Sequence, residues 1–387
     1  MNRAREARPD DMETAAFYAL SHVAAGQNAS DRMAYNGRAA EVLLRIYKRE
    51  PAHPGAIHYT IHANDIDSRA AESLKIVRSY SGIAPDVPHA LHMPTHIFVR
   101  LGEWENVIAW NRKSAAAALR LPTEDGISHH YPHALGYLVY AHLQRGEEKL
   151  AWEIADDVLA KDEPLQGDFT SAFHLASMPA RYAVERRAWD EARTIMPRTP
   201  EGVAWDRFWW PESVSRFARG LGAVHTGDAG EAKKAERRMA ELRDAAQKAG
   251  EATFAGYIEV DRLVLASWRA QMTGESKRAL DLAREAVTKE SEMQKHPVTP
   301  GALYPSQESL GDLLMALYRP QEALSAYESA LAAWPGRFNS LAGAARSART
   351  AGLTDRARVY YRTLIETASD ASSSRPALAE ARQFLEE

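Results

Sequence analysis

SLGDLLMALYRPQEALSAYESALAAWPGR, residues Ser309 to Arg337, runs directly into FNSLAGAARSART, Phe338 to Thr350, and then GLTDRARVYYRTLIETA, Gly352 to Ala368. Apolar residues recur every three or four positions with charges between them, the pattern of amphipathic helices. Small residues fall at Gly311 and Ala323, an aromatic at Tyr327 and a proline at Pro335. The small positions let two helices approach closely, the ring fills the gap beside them, and the proline stops the second helix. The order describes a helical hairpin that recurs.

Working outward, EKLAWEIADDVLAKD, GEAKKAERRMAELRDAAQKAGE and SKRALDLAREAVTKE show the same helical period, and connectors such as HTGDAGEA, MTGES and AWPGR end one helix and start another. No run of β-branched residues alternates strictly, so the fold class is all-α. The recurring order resembles the tetratricopeptide repeat, a helix–turn–helix of ~34 residues. Its register gives about nine TPR-like hairpins, with first positions near Met12, Pro54, Pro88, Pro132, Phe173, Ser213, Val260, Tyr304 and Phe338. Only Pro54 to Pro88 and Tyr304 to Phe338 span 34 residues, and the other intervals run from 40 to 47. The extra residues lengthen second helices or build loops, as ordinary repeat degeneracy or as walls that turn a groove into a pocket.

The chain then reads as one solenoid over 1–387, because repeat arrays grow in one dimension whatever their length. The first repeat covers 12–53, His-rich repeats two to four cover 54–172, and irregular repeats five to seven cover 173–303. The last two repeats cover 304–368, and 369–387 is a linker and polar capping helix. Composition narrows the chemistry. The absence of cysteine among 387 residues excludes disulfide scaffolds, thiolate metal sites, Fe–S clusters and a cysteine nucleophile. A net charge of −4 gives no indication of nucleic-acid binding. No apolar stretch is long enough to span a bilayer, and MNRAREARPDD lacks the apolar core of a signal peptide. The expectation is a soluble, cytoplasmic protein with neither nucleic-acid nor membrane partners.

Of 14 histidines, ten lie from His53 to His142. His92 follows His58 by 34 residues, and His96 follows His62 by 34. PGAIHYTIHAND and PHALHMPTHIFV therefore carry a histidine pair at the fifth and ninth positions of two adjacent, undistorted repeats. In the repeat they resemble, those positions line the concave groove. An i, i+4 pair projects from one helix face, and neighbouring first helices pack about 8–10 Å apart, so four imidazoles can converge. His58, His62, His92 and His96 are the primary metal candidates. His89, Asp65, His130 and His133 are further ligands, with His129 beside them, and unused groups can orient the ligands from behind.

An all-nitrogen set with at most one carboxylate suits a transition metal, Cu, Fe or Zn, and does not suit Mg or Ca. In HYTIH and HMPTH no glutamate follows the first histidine, so the general base of HExxH proteases is missing. One such pair alone is more often a hydrogen-bonded network, whereas two pairs in register favour a metal. His22, His53, His142 and His225 fall at packing positions and read as structural.

Other groove positions carry polar groups. Glu308 and Asp312 take the fifth and ninth positions of the eighth repeat in YPSQESLGDLL, and His174 and Arg181 face the groove from FHLASMPARYAVER. Acidic groups there are candidates for general acid–base work, and Arg181 for clamping a substrate carboxylate. The insertion AWDRFWWPES holds Trp205, Phe208, Trp209 and Trp210. It packs beneath a loop or offers an aromatic wall, with Trp209 as the ligand-facing candidate. The prolines of KHPVTPG, residues 295–301, hold His296 in place as a further groove candidate.

The strings HPGAIHYTIHA, APDVPHALHMPTHIF, MPARYAVERRAW, KHPVTPGALYP and PGRFNSLAGAARSA, spread from about residue 50 to 365, resemble a group of bacterial tetratricopeptide-repeat proteins of unassigned function. The resemblance implies a right-handed superhelical α-solenoid and implies no reaction. The functional expectation is a metalloenzyme acting on a small molecule, with redox or oxygen chemistry favoured over hydrolysis. The alternative is a metal-free adaptor that binds a peptide or protein tail in the groove. A third possibility uses a groove histidine as a general base without metal. Adaptor grooves usually carry Lys, Asn and Arg at the fifth and ninth positions, and the second and third repeats carry only histidine there.

Overall fold

The computed structural model describes residues 2–26, 31–66, 68–121, 123–124, 126–161, 163–368, 373 and 375–386. The linker foreseen after residue 368 therefore lies mostly outside the described residues. Among the described residues every element is helical, apart from isolated bridges pairing Thr123 with Gly126 and Ile127 with Leu165. The chain separates into two compact units, Met1–Arg120 and Leu121–Glu387, between the third and fourth predicted hairpins.

In the first unit, helices Met12–Gly26 and Arg32–Arg49 form a hairpin, and Pro54–Asn64 packs against both. Alanines 15, 16, 19 and 39 are buried at the crossing, which brings the backbones close around Leu43 and Ile46. Asn36 donates to the Ala63 carbonyl at 3.1 Å across this contact. The next stretch departs from the regular hairpin that the 34-residue spacing suggests. In place of a continuous second helix stand the short turns Ala70–Ser73, Leu74–Arg78 and Tyr80–Gly82. The following first helix is interrupted between Pro88–His92 and Pro94–Leu101, because Pro94 has no N–H to donate. Met93 nevertheless keeps helical angles (φ −51°, ψ −43°), so His92 and His96 still share a face. Trp104–Arg120 closes the unit and packs on both halves of that helix.

The second unit is a solenoid of helical hairpins. Its first helices are His130–Gln144, Phe169–Glu185, Trp209–His225, Ala252–Met272, Ser306–Ala316 and Phe338–Thr350, each packed on the next. Second helices such as Ala229–Lys248 and Pro320–Ala333 return between them, and Pro376–Glu386 caps the end against Thr354–Thr367. The small and aromatic positions act as expected. A Cβ on Gly311 would stand 2.8 Å from the Tyr327 ring, and one on Gly343 would stand 2.3 Å from it. Tyr327 is thus wedged between two first helices that only glycine lets it touch.

The backbone repeats the register read from the sequence. Fourteen residues after the predicted first positions Pro54, Pro88, Pro132, Phe173, Ser213, Val260, Tyr304 and Phe338 stand Ser68, Gly102, Gly146, Arg187, Gly227, Gly274, Tyr318 and Gly352. All eight have positive φ, between 56° and 81°. A left-handed residue ends each first helix and frees the chain to reverse. Glycine is the natural occupant, so Ser68, Arg187 and Tyr318 hold a strained conformation there.

Candidate functional site

The first unit gathers its histidines on two helices. Pro54 at the start of Pro54–Asn64 and the His53 side chain, which accepts from Ala56 N at 3.2 Å, fix where the first helix begins. Four residues apart, His58 and His62 bring their Nε2 atoms to 3.1 Å. On the next helix the Nε2 atoms of His92 and His96 are also 3.1 Å apart. The His89 ring lies 5.0 Å from that of His58, linking the two pairs. His92 and His96 are buried, whereas His58, His62 and His89 are half-buried.

Hydrogen bonds behind the rings set their protons. His92 Nδ1 lies 2.7 Å from Asn111 Oδ1, and that amide is oriented by donating to the Val107 carbonyl at 2.9 Å. His92 must therefore carry its proton on Nδ1. His96 Nδ1 faces Asp65 Oδ2 at 3.1 Å, while Arg100 Nε donates to Asp65 Oδ1 at 2.9 Å. His96 is also protonated on Nδ1. When both rings are neutral in that tautomer, their Nε2 atoms turn lone pairs toward the same space. A cation placed there could accept both. A separation of 3.1 Å is what two nitrogens adopt about one ion at roughly 2.0–2.1 Å from each.

His58 favours the neutral, ligating form. Burial, and then nearby His62, His89 and His96, pushes His58 down to about 3. Its Nδ1 lies 3.2 Å from the Tyr80 hydroxyl, whose pKa burial raises to about 12, so Tyr80 remains a phenol. Asp65 sits behind His96, on the Nδ1 side of the ring, and orients that ring from there rather than standing with the Nε2 atoms.

The other candidates lie in the second unit. His133 is buried, with Nδ1 2.8 Å from His174 Nε2. Against the expectation of a groove-facing position, His174 has no exposed surface, and burial pushes it down to about 3. A Cβ on Gly136 would stand 2.0 Å from His174 Nδ1, so glycine makes room for this ring. His130 packs on His129 with ring centroids 4.4 Å apart and is pushed down to about 4 by burial and then by His129. His129 in turn pairs with Asp168 at 2.6 Å, a hydrogen bond that raises its pKa.

The proposed catalytic groups prove to be joined in a buried ionic network. Arg181 is not available to clamp a substrate carboxylate: it donates to the carbonyls of Gly301 at 2.7 Å and Ala302 at 3.2 Å and pairs with Glu185. Glu308 is fully buried, bridging Arg337 at 2.6 Å and Arg187 at 3.0 Å. Burial raises its pKa, but Arg337 and Arg187 more than offset this, so its pKa is lowered and it stays an ionised partner rather than a general acid. Asp312 accepts from Arg187 at 2.7 Å, from Tyr304 at 2.5 Å and from Tyr327. His296 accepts from Val298 N and is ringed by Phe169, Trp210, Phe254 and Tyr257 at centroid distances of 5.5–6.3 Å. The tryptophan in this cluster is Trp210, not Trp209, which is half-buried against the core. Trp205 and Phe208 pack on Ala172 and Ala176 beneath the loop.

Sequence reasoning missed Tyr80, Arg100 and Asn111. Arg100 was legible in principle, since it lies four residues beyond His96. Asn111 and Tyr80 carried no signal, one in mid-helix and the other in the broken turns. Of the four residues expected to serve packing, His53 caps a helix, His142 pairs with Glu147 at 2.5 Å, His22 meets Tyr18 edge-on, and His225 stacks on Trp189.

No protein-family model matches the chain, and no curated protein does. Among solved structures, the chain is similar to a tetratricopeptide repeat protein from Parabacteroides merdae, at 12% identity and TM-score 0.39, covering 77% of this chain and 97% of that one. It is also similar to the P58(IPK) TPR domain, at 15% identity and TM-score 0.28, covering 95% and 98% respectively. At those values the likeness adds nothing to the fold described above.

Proposed function

We propose that the first unit holds one transition-metal ion, Cu, Fe or Zn, through Nε2 of His92 and His96, with His58, His62 and His89 beside them, and that it acts as a metalloenzyme on a small molecule. The observation that carries this reading is the pair of Nε2 atoms 3.1 Å apart, with Nδ1 of the two rings facing Asn111 Oδ1 and Asp65 Oδ2 from behind. Buried His92 and His96 anchor the site, and the half-buried histidines leave it a side open to a small substrate. When bound, the ion supplies Lewis acidity or one-electron chemistry. Asn111 and Asp65 keep their protons at Nδ1 of the two rings, and the Tyr80 hydroxyl holds a proton against His58. Redox or oxygen chemistry is favoured over hydrolysis, because Asp65 is tied to His96 and Arg100 and cannot serve as a general base.

Metal analysis of untagged protein, wild type against His58→Ala/His92→Ala, tests the proposal. It is supported by about one transition metal per wild-type chain and a loss in the variant. It fails if neither preparation holds stoichiometric metal after reconstitution with Cu, Fe, Zn and Mn. The helical-repeat solenoid supports a second, broader reading as a protein-interaction scaffold. Peptide binding that survives loss of the histidine pairs, in a protein without metal, selects that reading.

A further inference from the structure

We infer that residues 294–302 occupy a peptide-binding groove of the second unit as an intramolecular ligand, and hold that groove closed to an outside peptide until they are displaced. This occupancy refines the scaffold reading given above and is independent of the histidine site. Residues 292–305 join Ser276–Ser291 to Ser306–Ala316 without forming a helix, and a connection of that length is uncommon in a compact unit. It is also buried from Val298 to Gly301 and again from Leu303 to Pro305. Irregular backbone ordinarily runs over a surface, because its polar groups need partners.

The partners here come from hairpins far away in the chain. Tyr137, on His130–Gln144, places its hydroxyl 2.9 Å from the Pro297 carbonyl and 3.2 Å from that of Thr299. Arg181, on Phe169–Glu185, donates to the carbonyls of Gly301 at 2.7 Å and Ala302 at 3.2 Å. Tyr257, on Ala252–Met272, donates to the Gln294 carbonyl at 2.6 Å. Arg337, at the cap of Phe338–Thr350, reaches the Leu303 carbonyl at 3.5 Å. Six main-chain carbonyls are thus read by four side chains from four different hairpins.

Side chains of the segment are recognised at two points. The His296 ring sits among Phe169, Trp210, Phe254 and Tyr257, presented by a turn in which Thr299 N donates to the His296 carbonyl at 3.2 Å. A Cβ on Gly301 would stand 3.3 Å from both the Trp334 ring and the Tyr140 hydroxyl, so glycine fits most closely there. Main-chain bonds for affinity and pockets for specificity are the division by which folded surfaces take peptides. Pro297 and Pro300 restrict the segment before it docks and lower the cost of ordering it. The outside peptide that replaces it carries the same features: a ring for the aromatic pocket, flanking prolines and a glycine. A tethered segment competes at an effective concentration on the order of mM, which weakens an outside peptide of intrinsic Kd about 100 µM by about tenfold or more.

Fluorescence anisotropy of a labelled QKHPVTPGA peptide, residues 294–302, tests this assignment on the full-length chain and on a chain whose residues 294–302 are replaced by Gly-Ser of equal length. The replaced chain, shown to be folded by circular dichroism, is expected to bind with Kd of about 100 µM or below, and the wild type about tenfold more weakly or worse. Adding Tyr137→Phe to the replaced chain, or His296→Ala to the peptide, should each weaken binding by about tenfold. The assignment is overturned if the replaced chain binds nothing by about 1 mM, or if the peptide carrying His296→Ala binds equally well. If the replaced chain does not fold, His296→Gly in the full chain takes its place: it should bind the peptide about fivefold more tightly than wild type, and equal binding overturns the assignment. A peptide that binds wild type and replaced chain alike has docked outside the groove, which overturns the occupancy and leaves the scaffold reading standing. None of these outcomes bears on metal binding in the first unit.

Discussion

Asp65→Asn probes the histidine site through a side chain that stands behind a ring rather than with the Nε2 atoms. Asp65 is 10% exposed at its side chain and accepts from His96 Nδ1 at 3.1 Å and Arg100 Nε at 2.9 Å. Asparagine keeps the shape and removes the charge. Its amide can also turn an NH₂ toward His96, which moves the ring proton from Nδ1 to Nε2, the atom needed for the metal. Losing a carboxylate behind a ligating histidine costs about 10–100-fold in metal affinity, or about 1.4–2.8 kcal/mol. The assay is competition for Zn(II) and Cu(II) against a chromophoric chelator, with His92→Ala as a reference for direct ligand loss. Urea unfolding of the metal-free proteins separates any change in stability from the change in affinity. A folded Asp65→Asn chain that binds metal within about threefold of wild type would refute the tautomer argument, and with it the role given to the 3.1 Å pair.

Three further outcomes follow from the same geometry. Tyr318 is 92% exposed with φ 57°, so Tyr318→Gly should stabilise the protein by roughly 0.5–1 kcal/mol while Gly352→Ala destabilises it by about 1, both read from urea midpoints. Gly136→Ala drives a methyl into His174 and should cost about 1–3 kcal/mol, seen in the same assay and as a shifted His174 imidazole resonance. Burial, and then Arg187, holds His225 down at about 4, below the ordinary value of 6.5. Its neutral form is carried at no cost above pH 6.5. As pH falls from 6.5 toward 4 the unfolded chain takes up a proton that the folded chain refuses, so stability is lost over that window. His225→Gln should flatten the slope there by up to about 1.4 kcal/mol per pH unit, and an unchanged slope would discount the shift.

The order of helices and their register were legible because local chemistry writes them: apolar period, small residues at crossings, an aromatic beside them. Even the left-handed turn residues fall where the register places them, although Arg187 and Tyr318 give no sign of it as residues. The convergence of His58, His62, His92 and His96 onto two helix faces was readable from their spacing. What holds the rings was not, since Asn111 and Tyr80 reach them from elements whose placement is tertiary. The short turns from Ala70 to Gly82 and the break at Pro94 replaced the regular hairpin that the 34-residue spacing had suggested. Glu308 and Asp312 looked free because Arg187 is distant in sequence, and Arg181 because the Gly301 and Ala302 carbonyls are. Arg187 meets Glu308 across 121 residues, and no local pattern announces such a pair.

The fixed step from first position to left-handed turn means that the chain keeps two kinds of length. From eight of the nine predicted starts to the turn the count is the same, and the difference between intervals of 34 and 47 residues falls between one turn and the next predicted start. Insertions therefore accumulate in the returning helices, in the loops and in leading turns of first helices such as Ala252–Met272, while the faces bearing His58 and His62, His92 and His96, or Glu308 and Asp312 are measured backward from the turn by the same ten and six residues. The stretch from each of those starts to its turn is thus a cassette of constant gauge. Residues exchanged between cassettes at matched distances from the turn keep their place on the helix face, whereas a single residue inserted ahead of the turn would rotate every side chain before it by about 100°.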